Sequence, residues 1–168
     1  MSDRRSKRVL FVAHCLLNQN ARAEGLVKGW PALVWDLMKL VKNHRVGLEQ
    51  LPCPELITYG CSREPATKDD YDKPEFRKRC CELSKEVVRQ AKFFKKAGHR
   101  VLGLVGAAGS PTCGVGETHR AHLRQRIEEP GIFIEELKKI LEIPMVDFDF
   151  RNVEKSLERV EKLLAWRC

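Results

Sequence analysis

The stretch VLGLVGAAGSPTCGVG, residues 101–116, decides the fold of this 168-residue chain. Its first half is an apolar run typical of a strand that is buried on both faces, and its second half is rich in glycine and other turn-forming residues. Cys113 therefore lies just beyond the carboxyl end of a predicted strand. Because ligands bind at that edge of an open parallel sheet, the stretch predicts both a central strand and a binding site.

Two further cysteines have the same position relative to predicted strands. Cys15 follows an apolar strand at residues 8–13, and Cys53 follows a strand at residues 46–51. The carboxyl ends of neighbouring parallel strands share one edge, so we expect the thiols of Cys15, Cys53 and Cys113 to meet there. Thiolates on a rigid frame are soft ligands that suit an iron–sulfur cluster or zinc.

Predicted strands alternate with helices along the chain, and apolar residues recur at helical spacing in the segments between the strands. This alternation predicts an α/β fold, a three-layer sandwich with a Rossmann-like or flavodoxin-like parallel sheet of about four strands. The predicted helices are residues 31–42, 74–96, 131–141 and a final segment over residues 153–164, and the fourth strand is residues 143–148.

The length of the chain favours a single domain over residues 1–168, with a flexible basic tail at residues 1–7. The formal net charge of +8 is compatible with an anionic partner such as a nucleotide or RNA. Basic and acidic residues are interleaved along the helices, however, so nucleic-acid binding is possible but not favoured. No apolar run reaches the length of a membrane span, and we expect a cytoplasmic protein with no membrane contact. The sequence does not indicate the oligomeric state.

The seven cysteines, without a secretory context, indicate metal binding, catalysis or burial rather than a disulfide framework. Cys80 lies on the apolar face of its predicted helix and is expected in the core, whereas Cys81 is expected to be more exposed. Cys61 lies in a long predicted loop at residues 59–73, which could fold over the site. Two prolines flank Cys53, and we expect them to prevent a helix from starting directly after it.

Two groups of polar residues are further candidates for the site. The loop cations Arg22, Arg63 and Lys68 are predicted at the same sheet edge and could bind a phosphate group of a substrate. His119 and His122 form an HxxH pair without the glutamate of the zinc-protease motif, so we expect surface histidines rather than zinc ligands.

Three blocks of the sequence are similar to a known family. They are HCLLNQNARAEG at residues 14–25, LPCPELITYG at residues 51–60 and GSPTCGVGET at residues 109–118. In order and spacing they resemble the three motif blocks of the 2-thiouracil desulfurase family, formerly a domain of unknown function. In that family three cysteines hold a 4Fe-4S cluster, whose remaining iron takes the sulfur of a thiocarbonyl substrate.

The resemblance implies an enzyme, an iron–sulfur desulfidase that replaces C=S by C=O in a small thiolated compound, such as a nucleobase or nucleotide, and releases sulfide. It implies that Cys15, Cys53 and Cys113 bind the cluster and its metal. It further implies that Glu55 is a catalytic acid or base and that the Ser110 hydroxyl orients substrate or water. Such a cluster is easily lost to oxygen, so protein handled in air is expected to lack it or to hold a disulfide instead.

The chemistry of this reaction agrees with these residue types. The reaction needs a group that binds sulfur, a base that delivers water and groups that stabilise a developing anion. Glu55 can move protons. Ser110 and the backbone N–H groups of residues 109–114 are expected to stabilise the anion.

The chain departs from the family pattern at two places. Better-known members have a glycine after CLL and then an RYDG sequence, whereas this chain has Asn18 and then Arg22 followed by AEG. After Gly60 it lacks their LPTPR-like run and has only CSR, ending at Arg63. These departures make the chain more similar to a desulfidase-related branch, with the identity of the substrate open and with Asn18, Arg22 and Arg63 as candidate substrate-binding residues.

Two other functions remain open from the sequence. Cys15 and Arg22 at the end of the first strand resemble the nucleophile loop of low-molecular-weight phosphatases. Six residues lie between them, one more than in those loops, and Ala23 replaces the usual Ser or Thr. That hypothesis also leaves Cys53 and Cys113 unexplained. The other alternative is a non-catalytic protein that binds zinc or a cluster and carries sulfur or electrons.

Overall fold

The centre of the fold is a four-stranded parallel sheet with the strand order Gly47–Gln50, Arg8–Val12, Arg100–Ala107 and Met145–Phe148. The computed structural model describes residues 3–121 and 126–165. The strands are β1 (Arg8–Val12), β2 (Gly47–Gln50), β3 (Arg100–Ala107), β4 (Thr118–His119), β5 (Arg126–Ile127) and β6 (Met145–Phe148). In the middle of the sheet, Leu10 and Leu104 have no exposed surface, because helices cover both faces.

Helices on the two faces of the sheet complete the sandwich. They are α1 (His14–Leu17), α2 (Trp35–Asn43), α3 (Pro54–Tyr59), α4 (Lys68–Tyr71), α5 (Pro74–Lys96), α6 (Ile132–Ile140) and α7 (Val153–Ala165), with a short 3-10 helix at Gln19–Ala21. Both α5 and α7 contact β3, α5 packs against α6, and α2 packs against α7. The predicted α/β sandwich with a parallel sheet of four strands is therefore confirmed.

Most predicted elements are present with small shifts in their ends. The long helix α5 has the predicted limits, because proline is favoured in its first turn and Gly98 follows its end. Helix α2 begins later than predicted. The backbone around Ala32 and Val34 is engaged elsewhere: Ala32 O accepts a hydrogen bond from Gln19 N, and Val34 N donates to Leu16 O.

Two expectations about loops were wrong. Helix α3 begins at Pro54, directly after Cys53, because proline suits the first helical position, where its missing N–H would have no partner. The predicted loop at residues 59–73 contains α4. Thr67 and Asp70 cap that helix reciprocally, so the Thr-x-x-Asp spacing was the signal for it.

The stretch after Gly116, for which the sequence predicts no clear element, forms a small antiparallel hairpin of β4 and β5. Thr118 pairs with Ile127 in this hairpin, and residues 122–125 lie outside the described part of the chain. No helix in the described ranges is long and apolar enough to cross a membrane.

Gly106 allows the turn that carries Cys113 to fold back against β3. A Cβ atom at Gly106 would lie 2.3 Å from Cys113 O and 2.7 Å from Val115 Cγ2. The Cys113 carbonyl also accepts a hydrogen bond of 3.1 Å from Ala107 N, which fixes the turn at this position. Only glycine leaves room for this contact, so the strand sequence itself sets the position of the cysteine.

We therefore predict that Gly106→Ala lowers the free energy of unfolding by about 1–3 kcal/mol, because the added methyl group overpacks the contact between β3 and the turn. Urea denaturation measures the change. Gly29→Ala is the matched control, since no atom lies within 4 Å of a Cβ at that position. Equal stability of Gly106→Ala and the wild type would contradict the packing argument.

Candidate functional site

A cavity of about 450 Å³ opens at the carboxyl edge of the central sheet. Its wall includes Cys15, Cys53 and Cys113, so the structure brings together the three cysteines that the sequence singled out. Cys53 and Cys113 are buried, and Cys15 is partly exposed. The cavity lies where the loops after β1, β2 and β3 meet, which is the edge at which parallel sheets bind ligands.

Backbone pairing beyond the strand ends holds the cysteines at this edge. Ala13 N donates to Val105 O at 2.9 Å, and Leu51 N donates to Val12 O at 2.8 Å. The pairing of β1 with both neighbours therefore continues past Val12, up to the residues that precede Cys15 and Cys53. Parallel pairing, rather than sequence proximity, brings these thiols together.

Burial keeps the three thiols protonated when no cation is bound. It raises the pKa of Cys15 to about 12, and it raises the pKa of Cys53 and, more strongly, of Cys113. The proximity of the other thiols raises the pKa of Cys113 further, because thiolates repel one another. A phosphatase nucleophile needs a lowered thiol pKa, so the raised pKa of Cys15 disfavours that alternative.

Glu55 is a buried carboxylate with partners on both oxygens. It lies in the first turn of α3 and is 8% exposed. Its Oε2 accepts hydrogen bonds from Arg63 Nε and Nη2, each at 3.3 Å, and its Oε1 accepts one from Thr112 Oγ1 at 2.6 Å. Arg63 donates further bonds to the carbonyl oxygens of Gly60 and Ala21. The carboxylate is therefore fixed in position at the wall of the cavity.

Ser110 and Thr112 connect Glu55 with the turn that carries Cys113. Ser110 Oγ accepts hydrogen bonds from Thr112 N at 3.3 Å and from Cys113 N at 3.0 Å. It also lies 3.3 Å from Thr112 Oγ1, which is 3.6 Å from Cys113 Sγ. The sequence analysis missed Thr112, although its place beside the cysteine in the SPTC segment was a usable signal.

The expectation that backbone N–H groups of residues 109–114 stabilise an anion was wrong. Gly109 N donates to Glu117 O, Ser110 N to Ala107 O, and Gly114 N to Ser110 O. The N–H groups of residues 112 and 113 donate to the Ser110 hydroxyl oxygen, and residue 111 is proline. Each backbone N–H group of the turn therefore already donates to an acceptor in the protein, as buried backbone groups generally do.

Two of the three predicted cations line the cavity, and the third does not. Arg22 and Arg63 line the cavity. Lys68 is 3% exposed and does not contribute to the wall, because its amine donates to Pro130 O and pairs with Glu129 and Glu135. The candidate Asn18 is exposed and also lies outside the cavity wall, where its Oδ1 accepts from Asn20 N and caps the 3-10 helix.

Sequence reasoning missed several residues of the wall, because they come from segments without a clear motif. Arg120 and Arg126 belong to the segment around the β4-β5 hairpin, and Phe150 follows β6. His119, expected at the surface, is half-buried in the wall, and its Nδ1 lies 2.9 Å from Gly109 O. His122 lies outside the described residues.

The remaining described cysteines are not part of this cavity wall. Cys80 is fully buried on α5 and Cys81 is partly exposed, both as predicted. Cys61 is exposed and is absent from the wall. Over residues 3–121 and 126–165, no group of three or more His, Cys, Asp or Glu side chains is arranged to hold a metal ion. The cavity cysteines therefore share a space without forming the coordination shell of a single ion.

Comparison with known proteins gives a relative over the whole length. The uncharacterized protein MJ0003 of Methanocaldococcus jannaschii is 32% identical over 161 residues, which cover 94% of this chain and 99% of that protein. The chain belongs to the family of MJ0003. No family model matches the sequence.

A solved structure has the same fold as this member of the MJ0003 family. It is a [4Fe-4S]-dependent thiouracil desulfidase, TudS, with a TM-score of 0.52 and 16% sequence identity, and the match covers 91% of this chain and 97% of that one. At this identity the similarity concerns the fold. The structural match supports the arrangement of strands and helices, and this support does not depend on the three cysteine motifs.

We predict that the cavity cysteines of the iron-free protein resist alkylation. With a pKa of about 12, only about one Cys15 thiol in 10,000 is ionised at pH 8, and the thiolate is the reactive form. Iodoacetamide at pH 8, followed by peptide mass spectrometry, is expected to modify exposed Cys61 much faster than Cys15, Cys53 or Cys113. Modification of Cys15 at the rate of Cys61 would contradict the raised pKa of its thiol.

Proposed function

We propose that this member of the MJ0003 family is a desulfidase that replaces C=S by C=O in a small thiocarbonyl compound. In this proposal a 4Fe-4S cluster is held by Cys15, Cys53 and Cys113. The observation that carries the proposal is the meeting of three thiols in one cavity whose wall also contains Glu55 and Ser110. Soft ligands, an acid or base and a hydroxyl thus face a shared space large enough for a small molecule.

For these thiols we propose a cluster rather than a single zinc ion. Three thiols with raised pKa values need a bound cation to ionise, and metal binding supplies this by displacing their protons. The fold similarity to a [4Fe-4S]-dependent desulfidase agrees with this choice.

Cys15, Cys53 and Cys113 would hold the cluster, which would supply a Lewis acid for sulfur. The protein residues supply the remaining functions. Arg63 and Thr112 hold Glu55 in place, so its carboxylate can take a proton from water and return it to the departing sulfur.

Ser110 is suited to orient a substrate oxygen or water. Its Oγ accepts two backbone N–H groups, so its own proton is available either to Thr112 Oγ1 or to a molecule in the cavity. Because the N–H groups of the turn already have protein partners, the Ser110 hydroxyl and Arg22 are the groups of the wall that we propose to face a developing negative charge.

The substrate class that we propose is a thiolated nucleobase or nucleotide. The solved structure with the same fold is described as a thiouracil desulfidase, and the motif blocks of this chain resemble those of that family. The apolar residues Leu26 and Ala108 in the wall provide surfaces against which a planar base can pack.

Iron binding tests the proposed ligands. Anaerobically purified or reconstituted protein is expected to contain about four iron atoms per chain and to absorb visible light. Cys15→Ala, Cys53→Ala and Cys113→Ala are each expected to lose most of the iron. Cys80→Ala is the matched control, because Cys80 is a buried cysteine of α5 outside the cavity wall. Equal iron in all four variants would contradict the assignment.

Sulfide release tests the reaction itself. Loaded wild-type protein is expected to release sulfide from 2-thiouracil, 4-thiouracil or 4-thiouridine, and Glu55→Gln is expected to lower kcat by about 100-fold while it keeps its iron. Glu64→Gln removes an exposed carboxylate and is the control. Iron-loaded protein that releases no sulfide from any of the three compounds would favour a sulfur or electron carrier and would contradict a desulfidase for this substrate class.

A further inference from the structure

Four arginines contribute to the cavity wall, and three of them have carboxylate partners. Arg63 pairs with Glu55, Arg120 with Asp69 and Glu129, and Arg126 with Glu117 and Asp149. Arg22 is the fourth. Within the described ranges, no carboxylate lies at ion-pair distance from its guanidinium, and its side chain donates no hydrogen bond.

Aromatic packing holds the Arg22 side chain in place. Its guanidinium lies over the ring of Phe150, with its central carbon 4.4 Å from the ring centroid. Phe150 is itself fixed by Phe148, at a centroid distance of 5.4 Å, and by Trp30, at 6.2 Å. A guanidinium that stacks through its face keeps its N–H groups at the edge, where they match the two oxygens of a carboxylate or phosphate.

The position of Arg22 is costly for a positive charge without a partner. The side chain is partly buried, and this burial lowers the pKa of Arg22. Glu55 lies near enough to offset part of this cost, but it is not at ion-pair distance from Arg22, and its oxygens accept hydrogen bonds from Arg63 and Thr112. The wall thus holds a fixed, partly desolvated cation whose hydrogen-bonding edge has no partner among the described residues.

We propose that Arg22, stacked on Phe150, binds an oxyanion of the substrate, a carboxylate or a phosphate. This inference rests on the proposed function for the rest of the substrate, a planar thiocarbonyl ring beside the three cysteines. Arg22 then determines specificity, since it favours thiolated compounds with a negatively charged group over neutral ones. Its contribution comes from charge-assisted hydrogen bonds in a partly desolvated site.

Binding without turnover is the first test. Cluster-loaded protein is titrated by calorimetry with orotate, uridine 5′-monophosphate and inorganic phosphate, and with uracil and uridine as neutral counterparts. At least one anion is expected to bind about tenfold or more tightly than its neutral counterpart, and Arg22→Met is expected to remove that difference. Orotate and the nucleotide separate a carboxylate from a phosphate as the preferred group.

Matched variants separate the contribution of the planar guanidinium of Arg22 from the contribution of its positive charge alone. Arg22→Met retains packing against Phe150, and Arg22→Lys retains the charge but not the planar fork, so its affinity is expected to lie between Arg22→Met and the wild type. Arg79→Met removes an exposed arginine of α5 and is expected to leave anion binding unchanged. Thermal unfolding and iron content, measured for each variant, identify any loss of fold or cluster.

Turnover separates the failure of this inference from the failure of the proposed function. If sulfide is released and Arg22→Met lowers kcat/KM equally for 2-thiouracil, 2-thioorotate and 4-thiouridine 5′-monophosphate, the inference is overturned and the desulfidase stands. If no sulfide is released but anion binding depends on Arg22, the oxyanion site stands and the desulfidase fails. Loss of iron in Arg22→Met without a change in anion binding would mean that Arg22 offsets the thiolate charges instead, and this would overturn the inference.

Discussion

Parallel pairing of β1 with both β2 and β3 is the constraint on which the site depends. It places the carboxyl ends of three strands at one edge, so residues separated by most of the chain reach a common cavity. Two local features then set the direction of the thiols. Pro54 starts α3 directly after Cys53, and Gly106 lets the turn with Cys113 fold back on its own strand.

Desolvation explains how the charges of the cavity are arranged. A buried charge without a partner is costly, and Glu55 accordingly has Arg63 on one oxygen and Thr112 on the other. Burial also disfavours the charged thiolate form of the three cysteines, so their thiols stay protonated until a cation binds. Arg22 has an aromatic neighbour in place of a carboxylate, and this exception is the reason to assign it to a ligand.

The sequence predicts those parts of the site that follow from periodicity and strand order. Apolar runs and helical spacing predict the four-stranded sheet and α5, and the cysteines at strand ends predict the shared cavity. Arg126 and Phe150 were not predictable, because the tertiary packing of the hairpin and of the segment after β6 puts them in the wall. The place of Thr112 beside Cys113 was a signal for the site, but its contact with Glu55 was not predictable, because only the direction of the turn brings its hydroxyl there.

The central claim is that Cys15, Cys53 and Cys113 together bind iron at one edge of the sheet. Anomalous X-ray diffraction at the iron absorption edge, from crystals grown without oxygen, tests it most directly. The account predicts a single strong anomalous peak in the cavity, next to the sulfur atoms of these three residues. Iron bound elsewhere on the chain, or a cavity without iron in such crystals, would contradict it.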